Sequence, residues 1–422
     1  MKKKSLLSKT LVLCLILIAF RPLIDLSGSY EGSGINLGGM YGIFFSILLI
    51  LKVLLRLYFK KNTYLFEVFF VVIMIIYLLG ILHSTVNSSF IVSSSRFIVG
   101  FSAIFLLYFY QEVKLETLKK IFVVLLLTSS VPIVIAWLQY LGMYPYTYFD
   151  YAEGNIIVGR ASGGYLQPNS LTRILLFVVL LIYISGNNLV AKIPLKYSII
   201  FLCFMTIVIS GHRTSLVIFV VFFISYEFIF SRNMVKFLFK SYILIPTIII
   251  FLLIIMSDQA SPLINYVNVY YATFADLLSG NSNLRGREDI WGHVMVYLQS
   301  NDLSKWLVGI GYPPFEAHND FLRVILVNGL IGLIIQSLFF IYIYIFVRKR
   351  VSSIGKKSLN MIYIYLFIFS MTLQPTEYPY FMWLFSLSLL WVLVYQPALR
   401  QSSSIEYSAL KRDSIQRKEA FK

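Results

Sequence analysis

Cysteine is nearly absent, with two in 422 residues. Cys14 and Cys203 both lie inside apolar blocks, so there is no disulfide framework and no Cys/His spacing that would hold a metal. Charge is also scarce. Only 13% of residues are Asp, Glu, Lys or Arg, against roughly 25% in a soluble domain. Acidic residues are the rarest of these, 19 against 36 basic, for a formal charge of +17. Such a charge could serve nucleic-acid binding, but the basic residues sit in short connectors between apolar blocks, which argues against it. No internal repeat or low-complexity stretch stands out. The N-terminal Lys2-Lys3-Lys4 and the apolar run after it mimic a signal peptide. No small-residue cleavage site follows Phe20, so this run reads as an uncleaved first helix.

What is abundant is apolar surface: 59% hydrophobic residues, 17% aromatic. One water-soluble core cannot hold them all. They run in blocks near the length of roughly 18 residues that reads as a membrane span. The pattern places spans near 9–26, 36–58, 64–84, 91–110, 119–141, 170–186, 194–211, 214–230, 241–257, 326–347, 358–373 and 380–396. The expected fold is an all-α polytopic membrane protein of about 12 transmembrane helices. Residues 1–257 carry the first nine, with an outer loop at 142–169. Residues 258–325 form a large extracytoplasmic loop, 326–396 hold the last three spans, and 397–422 form a basic cytoplasmic tail. With both termini inside, 27 of the 36 Lys and Arg residues fall in cytoplasmic segments. That is the bias expected of inner loops.

The remaining basic residues are Arg21, Arg96, Arg160, Arg173, Arg213, Arg285, Arg287, Lys305 and Arg323. All but Lys305 are arginines. A guanidinium offers a flat fork of donors that meets phosphate oxygens two at a time, and an ammonium does not. Arg21, Arg96 and Arg173 fall within or at the rim of apolar blocks, where an unpaired charge is expensive. Each could instead pair with an acidic neighbour such as Asp25 and serve only packing.

In the large loop, 264–278 and 288–298 read as helices. Trp291, Val294, Met295 and Leu298 share one face of the second, which suits a helix lying on the membrane surface or an ordinary packed helix. Further on come Gly309-Ile310-Gly311-Tyr312-Pro313-Pro314, then His318-Asn319-Asp320-Phe321-Leu322, then Asn328-Gly329-Leu330-Ile331-Gly332. The glycines predict a tight turn followed by close backbone packing at Gly329 and Gly332.

Here the chain resembles the O-antigen ligase and Wzy-type polysaccharide polymerase superfamily. The resembling residues are Gly286-Arg287-Glu288-Asp289-Ile290-Trp291, the Gly-X-Gly turn, His318-Asn319 and the Asn328–Gly332 stretch. Two earlier pieces are similar to the family as well, Gly159–Ser170 and Ser210-Gly211-His212-Arg213-Thr214-Ser215. The resemblance covers roughly residues 155–345. It implies a glycosyltransferase that moves a glycan from a polyprenyl pyrophosphate carrier to an acceptor at the outer face of the cytoplasmic membrane.

On that footing Arg213 and Arg287, then Arg160 and Arg173, are the expected pyrophosphate-binding residues. Charge grows on the leaving diphosphate, so donors fixed there favour the transition state. His318 is the expected general base, and the other reading of it is a helix-start histidine that caps or packs. Asn319 would orient it or bind sugar. Glu316 and Asp320 are competing bases, although Asp320 could pair with Arg323. His83, His212 and His293 have no evident partner. No Asp-X-Asp pair occurs on the outer side, so neither a metal nor another cofactor is expected.

The expected activity is polymerisation of undecaprenyl-pyrophosphate-linked repeat units into a capsule, exopolysaccharide or O-antigen. Expected partners are that glycolipid, membrane lipid, a flippase and a chain-length regulator, with no nucleic acid. Ligation of finished glycan to a surface acceptor is the nearest alternative. A transporter or flippase of an anionic lipid-linked substrate is the alternative from another class. It would need polar residues deep in several spans and inverted halves, neither of which is visible. A structural membrane subunit would leave the outer arginines tolerant of change.

Overall fold

The computed structural model describes residues 2–27, 37–60, 68, 71–72, 75, 88–152, 156–185, 193–231, 287–299, 303–311 and 317–395. The 241–257 span, the 264–278 helix, the tail and Glu316 lie outside the described residues. So does the 64–84 span, apart from Val68, Val71, Val72 and Ile75.

Helices α1 (Lys2–Ser27) and α2 (Leu37–Lys60) come first. Helix α3 (Ser88–Ser102) continues directly as a 3₁₀ helix over Ala103–Glu112. Then follow α4 (Leu115–Tyr140), α5 (Pro168–Ser185), α6 (Ile193–Ile209) and α7 (Arg213–Ser231). Helices α8 (Arg287–Gln299) and α9 (Leu303–Val308) precede α10 (Asp320–Arg348), α11 (Ser353–Thr372) and α12 (Pro379–Tyr395). Among the described residues, four stretches are long and apolar enough to cross a membrane: Leu37–Leu55, α4, α5 and α10. Leu195–Ile209, Thr214–Ser225 and α12 are shorter apolar helices. This is the architecture of a helical membrane protein.

Two helices form its centre. Every residue of α5 from Leu171 to Ser185 is buried, and α12 is buried almost throughout. A helix apolar on all sides belongs inside other helices. The two meet through Phe177 and Phe381, with ring centroids 5.1 Å apart, and through the Tyr395 hydroxyl, which donates to the Ser185 carbonyl at 2.7 Å. The outer helices are one-sided instead. Ile43, Ile47 and Leu51 on α2, Val123, Leu127 and Val134 on α4, and Ile334, Leu338 and Ile341 on α10 are exposed, in the manner of lipid-facing stripes. Hydroxyls and indoles join neighbouring helices. Thr128 donates to the Ala19 carbonyl, Trp137 Nε1 to Thr206 and Trp383 Nε1 to the Val99 carbonyl.

The structure departs from the expected pattern in one place. The 142–169 segment carries an antiparallel hairpin, β1 (Tyr148–Ala152) with β2 (Ile156–Arg160), in which Tyr148 stands opposite Arg160. Aromatic and β-branched residues there (Tyr148, Phe149, Tyr151, Ile156, Ile157, Val158) favour extended backbone. Helix α10 begins at Asp320, where the His318-Asn319 pair reads as a helix start ahead of the apolar span at 326–347, and Asn319 caps it: its Oδ1 accepts from the backbone N–H groups of Phe321 and Leu322.

Gly329, at φ +66°, interrupts α10. The Gly309–Gly311 turn after α9 lies against this break. The Leu326 and Val327 carbonyls accept from Ile310 N at 2.9 Å and Gly311 N at 2.8 Å. A Cβ on Gly329 would strike the Leu307 carbonyl, and one on Gly309 (φ +79°) would strike that of Val327. The two glycines thus permit a single backbone crossing. Gly329→Ala and Gly309→Ala should each cost about 1–3 kcal/mol from backbone conformation alone. Each should lower the thermal midpoint of the detergent-purified protein, read by intrinsic fluorescence.

Candidate functional site

The residues between α11 and α12, Gln374-Pro375-Thr376-Glu377-Tyr378, form a short connector with a 3₁₀ turn over Pro375–Glu377. Pro375 stands at the start of that turn, and Pro379 opens α12, positions where the missing N–H has no helical partner to lose. Four polar groups from distant helices converge on this connector.

Thr376 holds the first two. Its hydroxyl donates to the Asp320 carboxylate, 2.7 Å from Oδ1 and 2.9 Å from Oδ2, and accepts from Arg323 Nη2 at 2.5 Å. Arg323 Nε lies 3.2 Å from Asp320 Oδ1. All three are at most 4% exposed. Burying two charges is costly, and the pair stands only because each member has further hydrogen bonds. Asp320 is therefore the partner of Arg323.

Gln374 holds the third. Its Oε1 accepts from the backbone N–H groups of Ala317 and His318, both at 3.0 Å, and its Nε2 donates to Glu377 Oε2 at 2.6 Å. The other Glu377 oxygen meets Arg96 Nη1 at 3.1 Å. His318 adopts the left-handed backbone conformation, φ +47°, an uncommon geometry for a residue other than glycine. Gln374 fixes that geometry from one side and Asn319 from the other. The Asn319 amide is committed at both ends, since its Nδ2 donates to the Met371 carbonyl at 3.3 Å.

Arg173 is the fourth. Its guanidinium lies 3.6 Å above the Tyr378 ring. The residue is 6% exposed, yet Nε and Nη2 have no hydrogen-bond partner among the described residues. Those two nitrogens form the lateral edge of the fork, the edge that grips an oxyanion with parallel bonds. Unmet buried donors of this kind cost several kcal/mol in order of magnitude. Asp25 acts on Arg173 electrostatically, but its hydrogen bond is to Arg21, at 2.6 Å. Arg21 also donates to the Gly38 carbonyl and faces Trp383, so it is a packing arginine.

Compared with family models and with curated proteins, the sequence matches none.

The other expected site residues are placed as follows. Trp291 on α8 donates Nε1 to the Ala317 carbonyl at 3.1 Å, and Val294 and Leu298 are buried beside Leu326. This helix is packed against α10, and Met295 lies on its exposed side. Arg287 is its first residue. His293 is exposed. Arg213 opens α7, and Arg160 ends β2. The Gly163–Tyr165 turn beyond it clamps the bundle: Gly163 N donates to Gln139, and the Tyr165 hydroxyl donates to the Pro22 carbonyl at 2.8 Å. Burial pushes that phenol well above its ordinary pKa, so it remains a donor. No group of three or more His, Cys, Asp or Glu residues among the described residues is placed to hold a metal.

His212 does have partners. Its Nδ1 lies 2.7 Å from Ser215 Oγ, which donates to Thr172 Oγ1 at 2.8 Å. Thr172 donates to the Asn169 carbonyl at 3.3 Å. With both hydroxyl protons so directed, Nδ1 carries the imidazole proton.

The connector itself was not expected. Its one signal is five mostly polar residues between two apolar spans, with a proline second among them and another just after them. Thr376→Val should leave the buried Asp320–Arg323 pair short of one donor and one acceptor. The expected cost is about 1–3 kcal/mol, read as a lowered thermal midpoint of the purified protein.

Proposed function

We propose that this protein joins polyprenyl-pyrophosphate-linked oligosaccharide repeat units into a surface polysaccharide at the outer face of the cytoplasmic membrane. In this reading about twelve spans cross the bilayer, both termini are cytoplasmic, and the Arg173 end of the bundle is outside. The carrying observation is Arg173, a buried guanidinium whose lateral edge is unmet among the described residues. A diphosphate supplies the paired oxygens that such an edge takes.

The chemistry follows from charge. A hydroxyl oxygen of the acceptor unit attacks the anomeric carbon of the donor chain. The bond from that carbon to the diphosphate oxygen breaks, and the lipid diphosphate leaves with the electron pair. The hydroxyl proton passes to a base. Arg173 stabilises the departing diphosphate, with Arg287 and Arg213 as further cationic groups and Arg160 at the hairpin rim. These contacts strengthen as charge grows, so they favour the transition state over the ground state. His318 is the assigned base, an imidazole nitrogen being able to take the hydroxyl proton, and Gln374 and Asn319 fix the backbone that presents it. The connector ties the His318 backbone to the Tyr378 ring beneath Arg173. Glu316, two positions earlier in the sequence, is the competing base.

The test is an assay of purified protein with lipid-linked repeat units, in the presence of a chelator, with product length read on a gel. Wild-type protein should build long chains. Arg173→Lys, Arg287→Lys and His318→Ala should each reduce product by roughly 100-fold or more at normal membrane levels. Wild-type activity in Arg173→Lys and His318→Ala would overturn the reading. Chains transferred whole to a surface acceptor, with no elongation, would mark a ligase.

Orientation has its own test. Met295 and Arg350 are exposed and both native cysteines are buried. In intact cells a membrane-impermeant maleimide should label Met295→Cys and spare Arg350→Cys. The reverse pattern would place the arginine end in the cytosol and defeat the proposal.

A further inference from the structure

We infer that Asn169 reads the hydroxyl or acylamino group beside the anomeric carbon of a glycosyl diphosphate bound at Arg173. The inference rests on the reading of Arg173 as a diphosphate fork and adds a sugar contact to it.

Asn169 and Arg173 stand four residues apart in α5. They therefore share one helix face, with Cβ atoms roughly 5–6 Å apart. Asn169 Oδ1 is shielded from solvent and has no hydrogen-bond donor among the described residues, just as Arg173 Nε and Nη2 have no acceptor. An unmet acceptor and two unmet donors lie one turn apart and do not satisfy one another. The nearby hydroxyls do not serve Oδ1 either. Thr172 donates to the Asn169 backbone carbonyl. Ser215 donates to Thr172, and the proton on His212 Nδ1 is directed to Ser215.

Buried polar atoms are as a rule satisfied. One ligand that satisfies this set must place an oxyanion against Arg173 and an O–H or N–H donor one turn nearer the start of α5. A glycosyl diphosphate has that pattern. Its phosphate oxygen is bonded to the anomeric carbon, and the next ring carbon bears a hydroxyl or an acylated amine. Accepting from that group, Asn169 fixes the sugar ring relative to the leaving diphosphate and disfavours a donor that lacks the group. Asn169 is then a specificity-determining residue.

The test is binding to the purified full chain in detergent. The probes are farnesyl diphosphate, farnesyl diphosphate bearing a 2-acetamido, 2-hydroxy or 2-deoxy sugar, and a nucleoside-diphosphate sugar. Wild-type protein should bind the acetamido or hydroxy probe about tenfold more tightly than the deoxy probe. Asn169→Leu should erase that gap and leave farnesyl diphosphate affinity unchanged, whereas Arg173→Lys should weaken every probe. Equal affinity of wild-type protein for deoxy and substituted probes, with farnesyl diphosphate still bound, overturns the Asn169 contact and spares the Arg173 reading. No binding of farnesyl diphosphate overturns both. Binding of the nucleoside-diphosphate sugar with the same C2 preference keeps the contact but assigns it to the diphosphate sugar without its lipid. If Asn169→Leu fails to fold, the wild-type probe series decides alone.

Discussion

Thr376 stands between the only acid and the only base of a deeply buried ion pair in this part of the described bundle, and the arrangement of the polar end depends on it. A hydroxyl can donate to a carboxylate and accept from a guanidinium at once. Asp320 and Arg323 belong to one helix, so their own bond fixes nothing beyond α10. The hydroxyl extends that bond to the α11–α12 connector. Once the connector is anchored, Gln374 meets the backbone at His318 and Tyr378 meets the face of Arg173. Buried ion pairs are poor sources of stability. Here the pair is better understood as fixing the register of three helices.

Much of the helical frame was legible because apolar blocks are the strongest signal a sequence carries. Helices α4, α5, α7 and α12 begin and end within a few residues of the expected spans. The errors have specific origins. Asn319 stands among the expectations as a sugar or imidazole contact, while the structure commits its side chain to capping α10 and to the Met371 carbonyl. The hairpin at 148–160 was hidden because five-residue strands carry little periodicity. For Arg21 and Arg323 the sequence leaves pairing with Asp25 and Asp320 open, and the structure takes that alternative for both.

The connector was the harder omission. Gln374, Thr376 and Glu377 carry no motif, and each acts on a residue more than 50 positions away. Sequence reading finds polar residues whose partners are near in the chain, such as Arg21 and Asp25. It has no means of seeing a threonine that serves a helix start across the bundle. For His212 the first partner, Ser215, is three residues on, and only the far end of its hydroxyl chain, Thr172 on α5, is distant in sequence.

These contrasts separate arginines that hold the protein together from those left to act on something else. In a low-dielectric interior a guanidinium without a carboxylate is costly, and a folded chain retains one only where something compensates. Arg21 has the partly exposed Asp25, Arg323 has the buried Asp320, and each makes a further hydrogen bond. Arg96 has Glu377 at a half-exposed rim. Arg173 is stacked on Tyr378, a ring face attracts the cation, and Nε and Nη2 have no partner among the described residues. That leaves the donors of its lateral edge in place and oriented. The same helix turn holds Asn169 Oδ1 as an unmet acceptor. A packing arginine needs neither feature, whereas a fork that takes an anion of fixed shape needs its charge tolerated, its plane fixed and its donors uncommitted.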